Sequence, residues 1–470
     1  MKRHLLFLFV LLILLSGLTV TFTKVAHAEP GVAHLSSNCI TPNGTNTLSG
    51  TLGGANYTIS VPSNWNGTLV LYSHGYVFTN QPLLNPAPDA GDQLTGAALL
   101  QQGYALAGSS YSQNGWALQQ AFNDQIALLD HFDAKCGQPT RTIAWGHSLG
   151  GIITAGLVQL FPNRFAGALP MCGVLAGGVG TWNQALDSAF AFDVLLAGNK
   201  LPIVHFTDPS GAFNQAESVL GTAQKTLQGK ARIALAAALA DIPGWFNSSS
   251  PEPGSSDFAT QEQNQFSWQS KVDFAFAYLA RAELEARAGG NPSWNTGVNY
   301  SKQLENSADY SEVVALYKQA GLSLDQDLGT LAATSRISAD AGAVQYLSQN
   351  ISFNGDLNFP VLSMHTTGDG LVVNQDEQAY ASVVRSTGDN SLLRQVFVHR
   401  AGHCTFTPAE TLTSFQTLIH RLDTGKWDSS TDPSLMNQEA TALGSTFNIA
   451  PPAFLNFEPT PFLRPFDLNN

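Results

Sequence analysis

The sequence predicts an α/β fold with a mostly parallel sheet and helices on both faces. Apolar strands alternate with amphipathic helices over residues 50–175, and strands reappear near residue 355. This alternation is typical of parallel sheets, because each connection between parallel strands needs a helix-sized crossover. The chain has 470 residues, of which 44% are hydrophobic. That length suits one domain with a large insertion, or two domains.

The first 28 residues have the three parts of a secretory signal peptide. Lys2 and Arg3 precede an apolar run over residues 5–22, and Ala26-x-Ala28 supplies the small residues of a cleavage site. We therefore expect a secreted, extracellular protein with no stable membrane anchor once residues 1–28 are removed. The alternative is an uncleaved anchor, because the apolar run is nearly long enough to span a bilayer.

Two early strands are predicted at residues 56–61 and 68–73, and the second ends at His74-Gly75-Tyr76. A turn at the end of a central strand can direct a backbone N–H toward developing negative charge. We therefore assign the Tyr76 N–H as one oxyanion donor, and we expect His74 and Gly75 to shape the pocket. The alternative is an ordinary glycine-containing turn.

The alternation continues with a helix over residues 93–103, a strand over 104–111 and a helix over 115–132. The second helix has apolar residues at helical spacing. The elements lead into an apolar strand that begins near Ile143. Residues 29–174 are therefore expected to form the first part of the core.

The pentapeptide Gly-His-Ser-Leu-Gly at residues 146–150 interrupts that strand and continues into small and apolar helix-forming residues. A G-x-S-x-G motif between strand and helix indicates a nucleophile elbow, a strained turn that exposes a serine hydroxyl above the sheet. Ser148 is therefore the predicted nucleophile. Leu149 is predicted to provide the second oxyanion N–H, and His147 to shape the pocket.

After residue 174 the strand pattern disappears for about 180 residues. Helices are predicted instead, at residues 183–196, 215–239, 260–288, 307–320 and 339–349. An insertion at this point falls above the carboxyl ends of the strands, where ligands bind in open α/β sheets. We interpret residues 175–350 as a helical cap that shapes the substrate pocket. The alternative is an independent helical domain.

The second part of the core is expected at residues 351–425. Its first strand, residues 359–365, leads into Asp369. A carboxylate on the loop after a late strand suits the acid of a catalytic triad, which holds the imidazole in the required tautomer. Asp369 is preferred to Asp356 and Asp376 because of the strand that precedes it.

The last predicted strand, residues 393–399, leads into His403. This histidine is the predicted general base, which would take the proton from the serine and return it to the leaving group. His399 is the rival, but its place at a strand end indicates a packed or surface residue. A metal site formed by His74, His365 and His403 is conceivable, yet no metal-binding motif supports it. No organic cofactor and no metal are implied.

Four cysteines, at positions 39, 136, 172 and 404, allow three pairings. The ends of parallel strands meet at one edge of the sheet, so we expect Cys172 to pair with Cys404. That choice leaves Cys39 to pair with Cys136. Four free thiols are the alternative, but they suit an oxidising compartment less well.

The formal net charge is −13, and charged residues make up only 12% of the chain. This balance argues against nucleic acid or an anionic membrane as a partner. Residues 426–470 are rich in Pro, Asn, Ser and Phe, and we expect them to form an extended tail packed on the core.

The elbow, the turn after the early strand and the order Ser148, Asp369, His403 together resemble the α/β-hydrolase family. The resemblance covers residues 50–175 and 355–423, and it is closest to exported bacterial members with an inserted cap. It implies hydrolysis through an acyl-serine intermediate, with those three residues as the triad. The expected substrate is a carboxylic ester, either a small molecule or a polymer.

Two other functions stay open at this stage. A serine peptidase of the same fold that releases short peptides from N-termini would need an acidic cluster in the cap. The nearest candidates are Glu283 and Glu285, which also suit a solvated helix face. A binding protein without activity is disfavoured by the intact triad, and a dehalogenase would need an aspartate at position 148.

Overall fold

A nine-stranded sheet lies at the centre of the computed structural model, which describes residues 39–466. The strands are β1 Thr45–Leu52, β2 Ala55–Pro62, β3 Thr68–Ser73, β4 Ala105–Ser109, β5 Arg141–His147, β6 Gly167–Met171, β7 Val361–Gly368, β8 Leu393–Ala401 and β9 Phe454–Leu455. Their order across the sheet is β1-β2-β4-β3-β5-β6-β7-β8-β9. Strands β3 to β8 are parallel, whereas β1, β2 and β9 pair with their neighbours in antiparallel orientation.

This strand order, with β5 near the centre and β2 antiparallel, is that of the α/β-hydrolase fold. The predicted fold class and the resemblance to α/β-hydrolases are therefore confirmed. The predicted signal peptide lies outside the described residues. Within residues 39–466, the helices are all too short or too polar to cross a bilayer.

Helices cover both faces of the sheet. In the core they are α1 Gln93–Gln101, α2 Leu118–Cys136, α3 Leu149–Leu160, α13 Gln375–Thr387 and α14 Pro408–Thr424. Strand β3 shows why both faces need cover. Leu69 and Leu71 pack on the face that carries α2 and α3, while Val70 and Tyr72 pack on the face that carries α1 and α14. A strand buried on both faces is apolar throughout, as parallel central strands usually are.

The segment between β6 and β7 is helical, as the sequence predicts. Its helices are α4 Gly177–Phe192, α5 Pro209–Ala223, α6 Leu227–Ala238, α7 Phe258–Trp268, α8 Arg281–Ala288, α9 Tyr300–Asn306, α10 Tyr310–Ala320, α11 Leu324–Ala333 and α12 Ala341–Gln349. Most of them share a hydrophobic cluster of their own, to which Leu235, Tyr278 and Tyr317 belong. Helices α8 and α12 instead pack on the main core through Leu284 and Leu347.

Two predicted helices of this segment differ from the structure. The single helix expected over residues 215–239 is wrong, because α5 ends at Ala223 and Thr226 caps a new helix by accepting a hydrogen bond from the Gly229 N–H (3.0 Å). A threonine N-cap satisfies an otherwise unpaired helix donor, and it starts α6 at Leu227, after a break of three residues. The helix expected over residues 260–288 is continuous, but π-helical turns at Gln269–Asp273 and Ala275–Ala280 join α7 to α8.

The tail is not extended throughout, contrary to the prediction. Asp432 caps a further helix, α15 Pro433–Ala442, whose first-turn proline already has the φ angle of a helix. Strand β9 then pairs with β8 at the edge of the sheet. Only Met436 and Ala440 of α15 are buried. Two buried residues do not form a clear apolar stripe, so the sequence pattern does not indicate a helix here.

Candidate active site

Ser148 lies on a strained turn between β5 and α3. Its backbone angles are φ 59° and ψ −123°, a conformation that non-glycine residues adopt only where the surroundings enforce it. A methyl group on Gly146 would collide with the Gly150 carbonyl oxygen, and one on Gly150 would collide with the Ser73 carbonyl oxygen. The strand and the helix can therefore pass this closely only with glycine at both positions, as the motif predicts.

The structure brings the three residues chosen for the triad together. His403 Nδ1 lies 2.7 Å from Asp369 Oδ2, and His403 Nε2 lies 2.7 Å from Ser148 Oγ. Because a carboxylate only accepts hydrogen bonds, Nδ1 carries the proton and Nε2 is left to accept from the serine hydroxyl. This is the tautomer that a general base needs.

The Asp369 carboxylate is fully buried and held from several sides. Its Oδ1 accepts from the N–H groups of Leu371 and Val372 (both 3.1 Å), and its Oδ2 accepts from His403. Burial alone would raise the pKa of Asp369, but the charge of His403 and the hydrogen bonds from His365 and His403 lower it to about 2. The carboxylate is therefore ionised across the range in which enzymes are assayed.

A second histidine, His365, lies behind the triad and carries a charge. Its Nδ1 is 3.2 Å from Glu377 Oε1 and its Nε2 is 2.8 Å from the Val372 carbonyl oxygen. Both nitrogens face acceptors, so both must donate, and the ring is an imidazolium. Burial lowers the pKa of His365, but hydrogen bonds to Asp369 and Glu377 outweigh it and raise this pKa to about 10. The cation lies 3.5 Å from Asp369 Oδ2.

The turn predicted to supply an oxyanion donor lies beside the serine. A methyl group on Gly75 would be 3.3 Å from Ser148 Cβ. The next residue, Tyr76, lines the cavity together with Leu149, the first residue of α3. First-turn N–H groups of a helix have no intrahelical acceptor and carry partial positive charge. Both predicted donors thus belong to backbone that borders Ser148.

His74 and His147, which we expected to shape the pocket with Gly75, lie beside the site but outside the cavity wall. His74 stacks on Tyr111 with ring centroids 4.0 Å apart. His147 packs on Tyr72 and Trp145. Burial lowers the pKa of His147 to about 4 although the charge of Asp92 acts in the opposite direction, so His147 is a neutral packing residue.

The other histidine considered as a base, His399, is exposed on β8 and lies 3.4 Å from Glu252. Its position agrees with the expectation of a surface residue. Among the described residues, His, Cys, Asp and Glu side chains form no group of three that could hold a metal ion.

The two disulfides join the predicted pairs of cysteines. Cys172 follows β6 and bonds to Cys404, with the Cα atoms 5.4 Å apart. Cys39 bonds to Cys136 at the end of α2. Because Cys404 adjoins His403, the first disulfide ties the loop that carries the histidine to the strand end beside the elbow.

Removing that disulfide should reduce both stability and turnover. We expect the pair Cys172→Ala and Cys404→Ala to lower the free energy of unfolding by about 5 kcal/mol, because a long loop is released in the unfolded chain. The matched control is Cys39→Ala with Cys136→Ala, which should lose a similar amount of stability and keep its kcat. Denaturant titration and steady-state kinetics measure the two effects. Equal kcat values for the two pairs would contradict a positioning role.

A cavity of about 120 Å³ opens onto the serine. Ser148, Leu149 and Leu371 line its core side, while α4 and the helix that joins α7 to α8 line the other. Its volume is close to that of cavities that take up a benzene ring, ~150 Å³. Most of the wall is apolar, and its aromatic members are Tyr76, Trp116, Trp182, Phe274, Phe276, Tyr278 and Phe462.

The helical segment is tied to the core near this cavity. Glu283 accepts from the Trp116 N–H (2.9 Å) and pairs with Arg287 (2.6 Å), which donates to the Asn114 carbonyl oxygen (2.8 Å). Glu285 lies 3.5 Å from the Arg281 guanidinium. Both acids considered for binding an amino terminus are therefore engaged within the fold.

Two residues at the site, Asp273 and Phe462, carried no signal in the sequence, and a third, His365, was considered there only as a metal ligand. Asp273 lies on a π-helical turn, His365 lies inside a strand, and Phe462 lies in the tail. Local patterns do not show which of these positions face the serine, since long-range packing brings them there. A histidine at the end of a predicted strand, next to an acid-rich helix, is the only available hint for His365.

Comparison with known proteins gives one related sequence and several similar structures. No family model matches the chain. An o-phthalyl amidase from Xanthobacter agilis is 29% identical over 421 residues, which cover 83% of this chain and 89% of the amidase.

Two similar structures are both distant in sequence. An acylaminoacyl peptidase from Pyrococcus horikoshii is 8% identical with a TM-score of 0.35, and the match covers 81% of this chain but only 41% of the peptidase. A cell wall degrading esterase from Xanthomonas oryzae is 13% identical with a TM-score of 0.37, and the match covers 79% of this chain and 85% of the esterase. The strand order and the hydrogen bonds of the site give the chain an α/β-hydrolase fold with a Ser-His-Asp arrangement of the kind that serine hydrolases use.

Proposed function

We propose that the protein is a secreted serine hydrolase that cleaves carboxylic esters through an acyl-serine intermediate. The observation that carries the proposal is the position of His403, which lies 2.7 Å from both the Ser148 hydroxyl and the Asp369 carboxylate. Such a chain of hydrogen bonds activates a serine that is otherwise a weak nucleophile at neutral pH.

Each group has a role in this reaction. The Ser148 oxygen attacks the carbonyl carbon while its proton passes to His403 Nε2, and the N–H groups of Tyr76 and Leu149 bind the resulting oxyanion. The bond between the carbonyl carbon and the alcohol oxygen then breaks, and the leaving alkoxide takes the proton from His403 Nε2. A water molecule then attacks the acyl-serine in the same way, with His403 taking its proton. This second step releases the carboxylic acid and restores the free serine.

Amide hydrolysis is a second candidate, favoured by the relative named o-phthalyl amidase. The same triad serves esters and amides, and the two differ in the leaving group. An amine leaves only when protonated, so amide cleavage depends more strongly on proton return from His403. The cavity of about 120 Å³ suits an acyl group with one aromatic ring.

Release of peptides from N-termini has less support. That activity needs an ionised carboxylate in the cap to bind the terminal amine. Glu283 pairs with Arg287 and Glu285 with Arg281, and burial raises the pKa of Asp273, which favours its neutral form.

The test is to trap the acyl-enzyme and to compare matched substrates. We expect a fluorophosphonate probe to label Ser148 alone, at about one equivalent per chain, since an activated serine reacts far faster than ordinary hydroxyls. Phenyl benzoate should be hydrolysed faster than benzanilide, its matched amide. Label on another residue, or on the heat-unfolded chain as well, would contradict the proposal. Faster cleavage of benzanilide would favour the amidase candidate.

Export is part of the proposal and has separate support. Two disulfides within the described residues suit an oxidising compartment. The predicted signal peptide over residues 1–28 agrees with that location.

A further inference from the structure

One carboxyl group in the cavity wall has no role in the reaction described above. Asp273 lines the same cavity as Ser148, and both of its carboxyl oxygens are buried. Within residues 39–466, neither oxygen has a hydrogen-bond partner. A buried polar group without a partner costs free energy, so the fold alone does not account for this side chain.

The backbone that carries Asp273 is also unusual. The π-helical turns between α7 and α8 include Gln269, Asp273, Phe276, Ala277 and Tyr278, all of which line the cavity. π-Helical turns are rare, and they occur frequently at functional sites. The helix therefore departs from α geometry where it faces the serine.

The second carboxyl group of the wall is different. Asp376 Oδ1 accepts from the Ala176 N–H (2.9 Å) and from the Thr181 hydroxyl (3.3 Å), so it holds the start of α4 in place. Of the two acids, only Asp273 has both oxygens available to a bound molecule.

The surroundings of Asp273 favour its neutral form. Among the described residues that line the cavity, none is Lys, Arg or His. Burial raises the pKa of Asp273 well above its usual range, and the nearby Asp369 carboxylate raises it further. A carboxyl group kept neutral in an apolar site has a proton to donate, as well as an oxygen that accepts.

We propose that Asp273 is the specificity-determining residue of the acyl pocket, where its carboxyl group hydrogen-bonds to an oxygen of a carboxyl or carbonyl substituent on a compact acyl group. The inference rests on the proposed function, since the acyl group must be the one transferred to Ser148. It adds a substrate class, namely ring-sized acyl groups that carry a second oxygen-bearing substituent. An apolar acyl group of the same size would leave the Asp273 carboxyl without a partner.

The test compares substrates and variants at this one position. The substrates are phenyl benzoate, its 2-, 3- and 4-carboxy derivatives, and a 4-aminomethyl derivative as a cationic probe. Asp273→Asn retains a donor and an acceptor, whereas Asp273→Leu removes both and keeps the branched shape of the side chain. With the wild type, we expect kcat/KM for the best carboxy ester to exceed that for phenyl benzoate by about 10- to 100-fold, the usual range for a hydrogen bond to a charged group.

The variants should separate recognition from a structural role. Asp273→Leu should lower kcat/KM for the best carboxy ester far more than for phenyl benzoate, so that most of the preference is lost, while Asp273→Asn should keep most of the preference. The inference is overturned if the wild type shows no preference, if it prefers the aminomethyl ester, or if Asp273→Leu lowers kcat/KM equally for every ester. Fluorophosphonate labelling distinguishes a failure of the proposed function from a failure of the role given to Asp273. A wild type that is not labelled at Ser148 contradicts the proposed function itself, whereas normal labelling with any of these results contradicts only the role of Asp273.

Discussion

Replacing Ser148 with alanine is expected to lower kcat by about 10⁶-fold, the loss seen when a serine hydrolase loses its nucleophile. Without the hydroxyl, no acyl-enzyme forms, and only the oxyanion donors and substrate binding still act on the reaction. KM should change little, because the side chain that is removed is small and the cavity wall is otherwise intact. Steady-state hydrolysis of phenyl benzoate measures the effect.

The matched control is Ser188→Ala. Ser188 also lines the cavity, so this variant removes a hydroxyl from the same space without touching the triad. We expect its kcat to stay within about threefold of the wild type, as is usual for substitutions outside the reacting groups. If Ser148→Ala kept more than a hundredth of the wild-type kcat, the elbow could not be the source of the nucleophile.

The core of this fold could be predicted because its signals are local. Strand β5, the glycines around Ser148 and the helix that follows are contiguous, and their geometry depends on backbone contacts that only glycine allows. Strands β7 and β8 were likewise evident as apolar runs that end in polar loops. The helical segment was predicted less well, because the break between α5 and α6 rests on a single capping threonine. Helix α15 was missed because it buries so few residues.

Some residues of the candidate site could be predicted from the sequence, and others could not. Ser148, Asp369 and His403 each follow a recognisable strand, so the sequence alone could bring them to one edge of the sheet. Asp273 and Phe462 are far apart in the chain and meet only in the cavity wall. Their positions depend on how the helical segment and the tail pack, and no local pattern shows this. The parts that perform the chemistry were therefore more predictable than the parts that select the substrate.

The charge of His365 also depends on long-range packing. It requires an acceptor at each ring nitrogen, one from Glu377 on α13 and one from the loop after β7. The imidazolium and the Asp369 carboxylate then form a buried pair in contact with His403. We therefore expect Asp369 to act as an anion that is fixed in place by groups on both sides, which makes its charge and its orientation equally important.

Replacing Asp369 with asparagine should therefore lower kcat by about 10⁴-fold although the side chain has the same shape. The amide group can turn its NH2 toward His403 Nδ1, which would then accept a hydrogen bond and leave the proton on Nε2. In that tautomer the imidazole cannot take the proton from Ser148. The pKa of Asp369, about 2, also implies that the wild-type carboxylate stays charged above about pH 4, so the loss should be nearly constant from pH 6 to 9.

Two other aspartates provide controls for this substitution. Asp356 is exposed, and Asp376 is buried in the cavity wall without contacting His403. Asp356→Asn should have the wild-type kcat, whereas Asp376→Asn should change KM or stability more than kcat because it holds the start of α4. Kinetics across the pH range, with circular dichroism to verify folding, compares the three variants. The carboxylate that orients His403 is the one whose replacement by asparagine causes the larger loss of activity. A larger fall in kcat for Asp376→Asn than for Asp369→Asn would therefore move the triad acid to position 376.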